Sequence, residues 1–467
     1  MQNKVKTNFP LDIGLIHFIG IGGIGMSGIA ELLFNLGYEV SGSDIKNTQI
    51  IARLEGLGIK IHLGHSKQNL SDAKIAVVSS AINDENIELI EARCRSIPVV
   101  RRSEMLAELM RLKSNVVIAG THGKTTTTSM VAAVLDAGKL DPTVVNGGII
   151  QAYGSNARLG KGDWMIVEAD ESDGTLIKIP ITVGVVTNLD PEHLEHYGTF
   201  NHLKKTFLKF LENIPFYGVG ICCLDHPVVR KLISQIRDRR ILTYGFHEEA
   251  DFVIQNLHYS KRKAHFNILD RSRFRKIILE LPMYGNHNVS NAAAAVSVAL
   301  YLNVTTEKIK YALKHFKGVK RRFTKICTWK KIEIIDDYAH HPVEISAVLS
   351  AARQYSSGRV IAIHQPHRYT RLDSLMEDFC RCFDEADIVG ITPVYAAGEL
   401  PLKGVNSHAL ISRLNRVGDN AFPIEDEIGL RDFLVYHGKP GDIFVCLGAG
   451  SISQWVNRLP ELLKMEV

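Results

Sequence analysis

No charge of either sign dominates this chain. Its 467 residues carry 55 Lys and Arg against 50 Asp and Glu, a formal net charge of +5. That surplus is too small and too dispersed for a nucleic-acid surface, and it suits small anionic ligands. Cysteine is sparse too. The seven are Cys94, Cys222, Cys223, Cys327, Cys380, Cys382 and Cys446. An odd, scattered count excludes a disulfide framework and predicts reduced thiols in a cytosol. Cys380-x-Cys382 is expected on a helix with no second pair nearby, so a structural role is expected rather than a metal site. Long apolar runs are also rare. Residues 11–34 form the one candidate for a signal peptide or membrane span, with Lys4 and Lys6 before it. The run contains Asp12, His17, Glu31 and six glycines, and has no small-residue cleavage site. A strand, a turn and a helix account for it better. Low-complexity linkers and short repeats are absent. The expectation is a cytoplasmic protein without nucleic-acid binding or membrane insertion.

What is present is α/β alternation. A chain of this length, 45% hydrophobic, exceeds one core, so roughly two to four domains are expected. Short apolar runs at residues 14–19, 39–41, 75–78 and 99–100 alternate with helical patterns and predict a parallel sheet covered on both faces. A helix over 101–113 leads into a second unit with strands near 116, at 164–167 and at 183–187. That unit also holds a β-rich patch at 252–281 and an Ala-rich helix at 291–300. A third unit predicts strands at 332–335, 360–364, 388–391 and 443–447. Three α/β domains in series follow, at 1–113, 114–318 and 319–467: two Rossmann-like units flanking a central phosphate-loop unit with a mainly parallel sheet.

The most informative segment is Ala119-Gly120-Thr121-His122-Gly123-Lys124-Thr125-Thr126-Thr127-Thr128. It lies between an apolar strand at 115–119 and a helix expected at 129–137, which ends at Gly138. Strand, Gly-rich turn, Lys-Thr pair and helix make a phosphate cradle. Lys124 reaches the β- and γ-phosphates in that geometry, and the Thr125 hydroxyl sits on Mg²⁺. The general pattern has a Gly five residues before Gly123; here Ile118 stands there and Gly120 follows, a shortened variant.

Other polar clusters sit past strand ends, where open parallel sheets collect ligands. Glu168 ends the 164–167 strand, in Val167-Glu168-Ala169-Asp170-Glu171-Ser172-Asp173. It is the first candidate for a Mg²⁺ carboxylate, with Asp170, Glu171 and Asp173 as alternatives that spacing leaves open. His193, after Thr187-Asn188-Leu189-Asp190, is a candidate ligand for a second ion, and His196 a poorer one. Gly20-Ile21-Gly22-Gly23-Ile24-Gly25, with Ser43-Asp44 about twenty residues on, fits a nicotinamide dinucleotide site, although the same geometry holds any nucleotide diphosphate. In the third unit, Asp336-Asp337-Tyr338-Ala339-His340-His341-Pro342 and Gln365-Pro366-His367-Arg368-Tyr369-Thr370-Arg371 both follow strands. Arg368 and Arg371 suit a carboxylate or phosphate. Lys320-Arg321-Arg322 lies at a domain junction, where a guanidinium can reach a bound phosphate.

Together these segments, with Gly285-Asn286-His287-Asn288 and Asn291, resemble the Mur ligase family over essentially the whole chain. The resemblance implies a UDP-binding first domain, a central ATPase domain and a last domain that closes over the nucleotide. It implies ATP contacts at Gly120, Thr121, His122, Gly123, Lys124, Thr125, Thr126, His287, Asn288 and Arg322. Two Mg²⁺ ions would be held by Thr125, Glu168 and His193. Asn291 and Asp337 match further positions around ATP, and with Lys124, Glu168, His193, Asn288 and Arg322 make up the catalytic set. Gly20, Gly22, Gly23, Gly25, Ser43 and Asp44 would hold the UDP-sugar, which displaces the nicotinamide reading. Tyr338, His340, Arg368 and Arg371 would hold the amino acid. Ala339 replaces the glycine of the family's Asp-Asp-Tyr-Gly-His-His-Pro. The implied reaction joins L-alanine to UDP-N-acetylmuramate through an acyl phosphate, and the oligomeric state is open between monomer and homodimer. Three rivals remain: a sibling ligase adding another amino acid or peptide, a nicotinamide-dependent dehydrogenase, and a nucleotide-switched binding protein.

Overall fold

The computed structural model describes residues 13–79, 81–171, 174–192, 194–416 and 418–466. Contacts divide the chain into two compact units. One holds residues up to 255 with 267–279 and 290–317; the other holds 256–266, 280–289 and 318–467.

The first unit contains two sheets. The smaller is parallel, in the spatial order Lys60–Leu63, Val40–Asp44, Leu15–Ile19, Ala73–Val78, Val99–Arg101. This is a doubly wound order, with the strand order reversing between Leu15–Ile19 and Ala73–Val78, the kind of switch point where ligands bind. The apolar run that could pass for a membrane span is this strand and the helix Ile24–Asn35. Among the described residues no helix is long and apolar enough to cross a membrane.

The larger sheet runs Ile241–Gly245, Val219–Cys223, Val183–Val186, Ser114–Ala119, Trp164–Glu168, Thr143–Ile150 as parallel neighbours. Ser155–Arg158 closes one edge antiparallel, and Phe252 and Val253 extend the other, parallel to Ile241–Gly245. The two sheets share a unit because Ile24–Asn35 packs on the Thr143–Arg158 hairpin. A Cβ at Gly28 would lie 3.2 Å from Ala157 Cβ, so glycine permits that approach. Asn156 Nδ2 donates to the Ile24 carbonyl at 2.6 Å and fixes the helix start.

The second unit is built on six strands ordered Thr324–Trp329, Ile332–Asp337, Ile443–Leu447, Val360–His364, Ile388–Ile391, Ala421–Pro423. All neighbours are parallel except the first pair. Ile345, Leu349 and Leu372 cover one face and Leu430, Ile452 and Val456 the other, all fully buried. Cys380 and Cys382 differ from the sequence reading. The helix Met376–Phe379 stops before them, and Cys382 Sγ is buried against the Phe379 carbonyl.

Candidate functional site

The central loop is shaped by what surrounds each glycine. Ser114–Ala119 delivers the chain to Gly120, whose φ of +141° strains any side chain. A Cβ there would lie 2.0 Å from Thr187 Oγ1. Gly123 has φ +79° and caps the helix Lys124–Ala137, which begins five residues before the sequence pattern suggests. The end of the neighbouring strand pins the loop. Thr187 Oγ1 donates to the His122 carbonyl at 2.7 Å, and Asn188 Oδ1 accepts from Thr121 Oγ1 at 2.9 Å and His122 N at 2.7 Å. Asn188 Nδ2 returns a bond to the His122 carbonyl at 3.0 Å. His122 and His226 flank Asp190 at 3.4 and 3.3 Å; burial alone would raise the Asp190 carboxyl, but these rings hold it well below the usual range. Asn291 Oδ1 accepts from Thr127 Oγ1 at 3.1 Å and faces Gly123.

Three acids that look interchangeable in sequence have three separate partners. Glu168 Oε1 accepts from Thr125 Oγ1 at 2.9 Å and Oε2 from Gly147 N at 2.6 Å. Asp170 Oδ2 meets Arg102 Nη2 at 2.6 Å. Glu171 Oε1 accepts from Lys124 Nζ at 2.6 Å. Of the three, Glu168 is bound to the loop hydroxyl. A Cβ at Gly147 would stand 2.7 Å from both its oxygens, so the bare glycine makes room for the carboxylate. Lys124 also donates to the carbonyls of Gly120, at 2.7 Å, and Thr121, at 3.1 Å. Burial would lower its ammonium pKa, but Glu171, then Glu168 and Glu192, raise it well above the usual value.

Among the described residues no group of three or more His, Cys, Asp or Glu is placed to hold a metal. Mg²⁺ does not require one, since it keeps waters and takes one or two carboxylates plus phosphate oxygens. The Thr125 hydroxyl against the Glu168 carboxylate fits that donor set. His193, Ser172 and Asp173 lie outside the described residues.

The first loop is glycine-lined as expected, and its acidic partner has a structural task. Gly20 has φ +81°, and Gly22 N donates to Asp44 Oδ2 at 2.9 Å. The Ser43 carbonyl accepts from Gly20 N and Ile21 N. Ser43's side chain is fully buried and donates to Glu88. A Cβ at Gly25 would lie 2.9 Å from Arg102 Nη1.

A second polar cluster belongs to the other unit. Asp337 ends the strand Ile332–Asp337 and accepts from Phe323 N at 2.7 Å and Ala339 N at 2.8 Å. Burial pushes its carboxyl up to about 6, against the pull of Arg322 and those two N–H groups. Arg321 and Arg322 both lie over the Tyr338 ring, at 4.8 and 5.2 Å. Ala339 is fully buried and is not among the residues with positive φ, so its methyl fits where the family pattern has glycine. His287 is pushed down to about 4 by burial and then by Arg322. Asn288 Nδ2 donates to the Tyr284 carbonyl at 2.7 Å. His340 is pushed down to about 3 by burial, despite Glu344. Its ring stands 5.6 Å from that of His367, and His367 Nδ1 is 3.4 Å from Arg371 Nη1. Arg368 has φ +70° at the start of the helix Tyr369–Ser374.

The structure therefore brings Lys124, Thr125, Glu168 and Asn291 together in one unit, and His287, Arg322, Asp337, Tyr338 and His340 in the other. Sequence reasoning missed Gly147 and Arg102. Gly147 stands in a Gly-Gly pair, a weak mark of close approach, and Arg102 carries no local signal.

Comparison with known proteins agrees along the whole length. The model of the Mur ligase family catalytic domain matches residues 15–114, the Mur ligase middle domain 118–299, and the Mur ligase glutamate ligase domain 321–450. The chain is 58% identical over 459 residues to the UDP-N-acetylmuramate–L-alanine ligase of Dinoroseobacter shibae, covering 98% of this chain and 99% of that one. It is 56% identical over 466 residues to the ligase of the same name from Jannaschia sp., covering 99% and 98%. Among solved structures it resembles the UDP-N-acetylmuramate–alanine ligase MurC of Thermotoga maritima, with a TM-score of 0.82 and 29% identity over 97% of this chain and 99% of that one. With family models matching residues 15–114, 118–299 and 321–450, and so all three of its sheets, the chain belongs to the Mur ligase family.

Proposed function

We propose that this chain joins the amine of L-alanine to the carboxylate of UDP-N-acetylmuramate at the expense of ATP, giving ADP, phosphate and UDP-N-acetylmuramoyl-L-alanine for peptidoglycan synthesis. The observation that carries this reading is 56–58% identity along nearly the full chain to ligases of that name. The loop geometry supplies the chemistry.

A carboxylate is a poor electrophile. Its oxygen attacks the γ-phosphorus, the bond to the β–γ bridging oxygen breaks, and ADP leaves. The alanine amine then adds to the acyl carbon, loses a proton, and phosphate departs with the C–O electron pair. The protein positions the reactants and neutralises charge at the transferring phosphoryl group. Lys124, the backbone N–H groups of 120–126, and His287, Asn288, Asn291 and Arg322 are assigned to ATP. Thr125, Glu168 and His193 are assigned to two Mg²⁺ ions, which offset phosphate charge when bound. Gly20, Gly22, Gly23, Gly25 and Asp44 are assigned to the sugar nucleotide, with Ser43 shaping the loop from below. Asp337 holds the junction segment at Phe323, next to Arg322. Tyr338, His340, Arg368 and Arg371 are assigned to L-alanine. Residues 1–113, 114–318 and 319–467 then serve as sugar-nucleotide, ATP and amino-acid domains of a cytoplasmic enzyme, as monomer or homodimer.

The test is phosphate release from ATP with UDP-N-acetylmuramate and a panel of amino acids. L-alanine should give the fastest turnover. Preference for another amino acid or a peptide would favour a sibling ligase, and release indifferent to both substrates would overturn the ligase reading.

A further inference from the structure

Lys124 has three ammonium protons, and all are taken. Two go to carbonyls of its own loop, Gly120 and Thr121, and the third to Glu171. The pair is poorly hydrated: the Glu171 side chain is 3% exposed and that of Lys124 15%. Glu171 is held from a second direction, since Tyr197 Oη donates to its backbone carbonyl. The carboxylate therefore sits as a fixed negative charge against the cation on which a phosphate loop depends.

We propose that Glu171 is the resident counter-ion that a nucleotide's phosphates displace from Lys124, and so sets the affinity of the loop for polyphosphate. The proposal rests on reading 120–125 as a phosphate loop. Two anions compete here for one ammonium. Without ligand, Glu171 compensates a cation that is mostly out of water, where an unpaired charge is strongly destabilising. When phosphate arrives, it must replace the Glu171 contact and meet the repulsion of that carboxylate. The electrostatic environment agrees: Glu171 is the first of three carboxylates that favour the charged form of Lys124. A structural staple would contribute to folding and leave ligand affinity alone. A counter-ion does both, with opposite signs.

Glu171→Gln separates these roles, because the amide keeps the size and an acceptor oxygen and loses the charge. Binding of ADP and of inorganic tripolyphosphate is measured by calorimetry on the full chain. The variant should bind both roughly tenfold more tightly, the low end of coupling for a close charge pair. Its melting temperature without ligand should fall, and added tripolyphosphate should raise it by more than in wild type. In a Lys124→Met background the Glu171→Gln effect on affinity should shrink to the bare repulsion between carboxylate and phosphate. Glu171→Asp keeps the charge but draws it back by one methylene, and should tighten binding by a smaller factor. Unchanged or weaker binding in both Glu171 variants would overturn the proposal. So would a tightening that persists in full without Lys124, which would reflect general repulsion. If wild type itself binds neither probe, the phosphate-loop reading falls first, and that outcome is recognisable before any variant is made.

Discussion

Thr125 Oγ1 donates to Glu168 Oε1 across 2.9 Å, joining the first residues of a helix to the end of the strand beside it. Those residues are 43 apart in sequence, and the contact singles out Glu168 from Asp170 and Glu171, the two other described acids of its segment. The other oxygen of Glu168 is taken by Gly147 N, from the next strand over. The carboxylate is thereby oriented from two sides, which is what a metal ligand needs from its surroundings.

Removing this carboxylate should change metal use before substrate use. Glu168→Ala should raise the Mg²⁺ concentration needed for half-maximal activity, while leaving UDP-N-acetylmuramate binding near wild type. Gly147→Ala should do the same on a folded protein, since its Cβ would stand 2.7 Å from both carboxylate oxygens. A magnesium titration beside a sugar-nucleotide binding isotherm checks both. An unchanged metal dependence in Glu168→Ala would rule out this ligand.

Lys124→Ala should lower ligation by roughly 10²–10³-fold, the scale for losing one charge-stabilising donor at a transition state. It also leaves Glu171 facing a missing cation, so the melting temperature should drop although circular dichroism stays native. A folded variant with more than about a tenth of normal activity is incompatible with the loop assignment.

Arg371→Lys tests the amino-acid end. The guanidinium stands beside His367, 3.4 Å from its Nδ1. Lysine keeps the charge and loses the planar fork that suits a carboxylate. KM for L-alanine should rise several-fold, with sugar-nucleotide binding little changed. Normal alanine saturation would transfer the carboxylate grip to Arg368 or to the Tyr338–His340 segment.

Acid should weaken the second unit. His364 is fully buried and His340 largely so, and burial pushes both down to about 3. As pH falls below about 6.5, the unfolded chain takes up these protons and the folded chain does not. Stability is therefore complete above that pH and declines below it, by about 1.4 kcal/mol per pH unit for each ring. Asp337 works in the other sense. Its carboxyl, raised to about 6, favours the folded form below the ordinary carboxylate range, and that benefit is lost as pH rises through 6. Two histidines outweigh one aspartate. Urea melts at pH 7.5 and 5.5 should show the loss, and His364→Gln should reduce the slope by about one proton. An unaltered slope would contradict the burial argument.

Much of this fold is legible locally. The strands at 360–364, 388–391 and 443–447 coincide with the apolar runs, because a parallel strand buried on both faces is apolar at nearly every position. The helix after the phosphate loop is legible only in its second half. Its first turns are Lys124 and four threonines, β-branched residues that disfavour helix. Burial of those threonines overrides the propensity. The Thr143–Arg158 hairpin was missed because Gly147-Gly148 and Ser155-Asn156 interrupt its pattern. The rule that ligands gather past strand ends led to Glu168. It could not separate Glu168 from Asp170 and Glu171, because their partners Thr125, Arg102 and Lys124 sit more than forty residues away.

The Arg102–Asp170 pair has a genetic corollary. Arg102 borders the first glycine loop at Gly25, and Asp170 borders the second loop's acids. A lesion at Arg102 would thus be inherited as a defect of both loops at once. Its intragenic suppressors should fall at Asp170, some seventy codons downstream, and the charge-swapped double mutant Arg102→Glu with Asp170→Arg should grow where each single mutant does not.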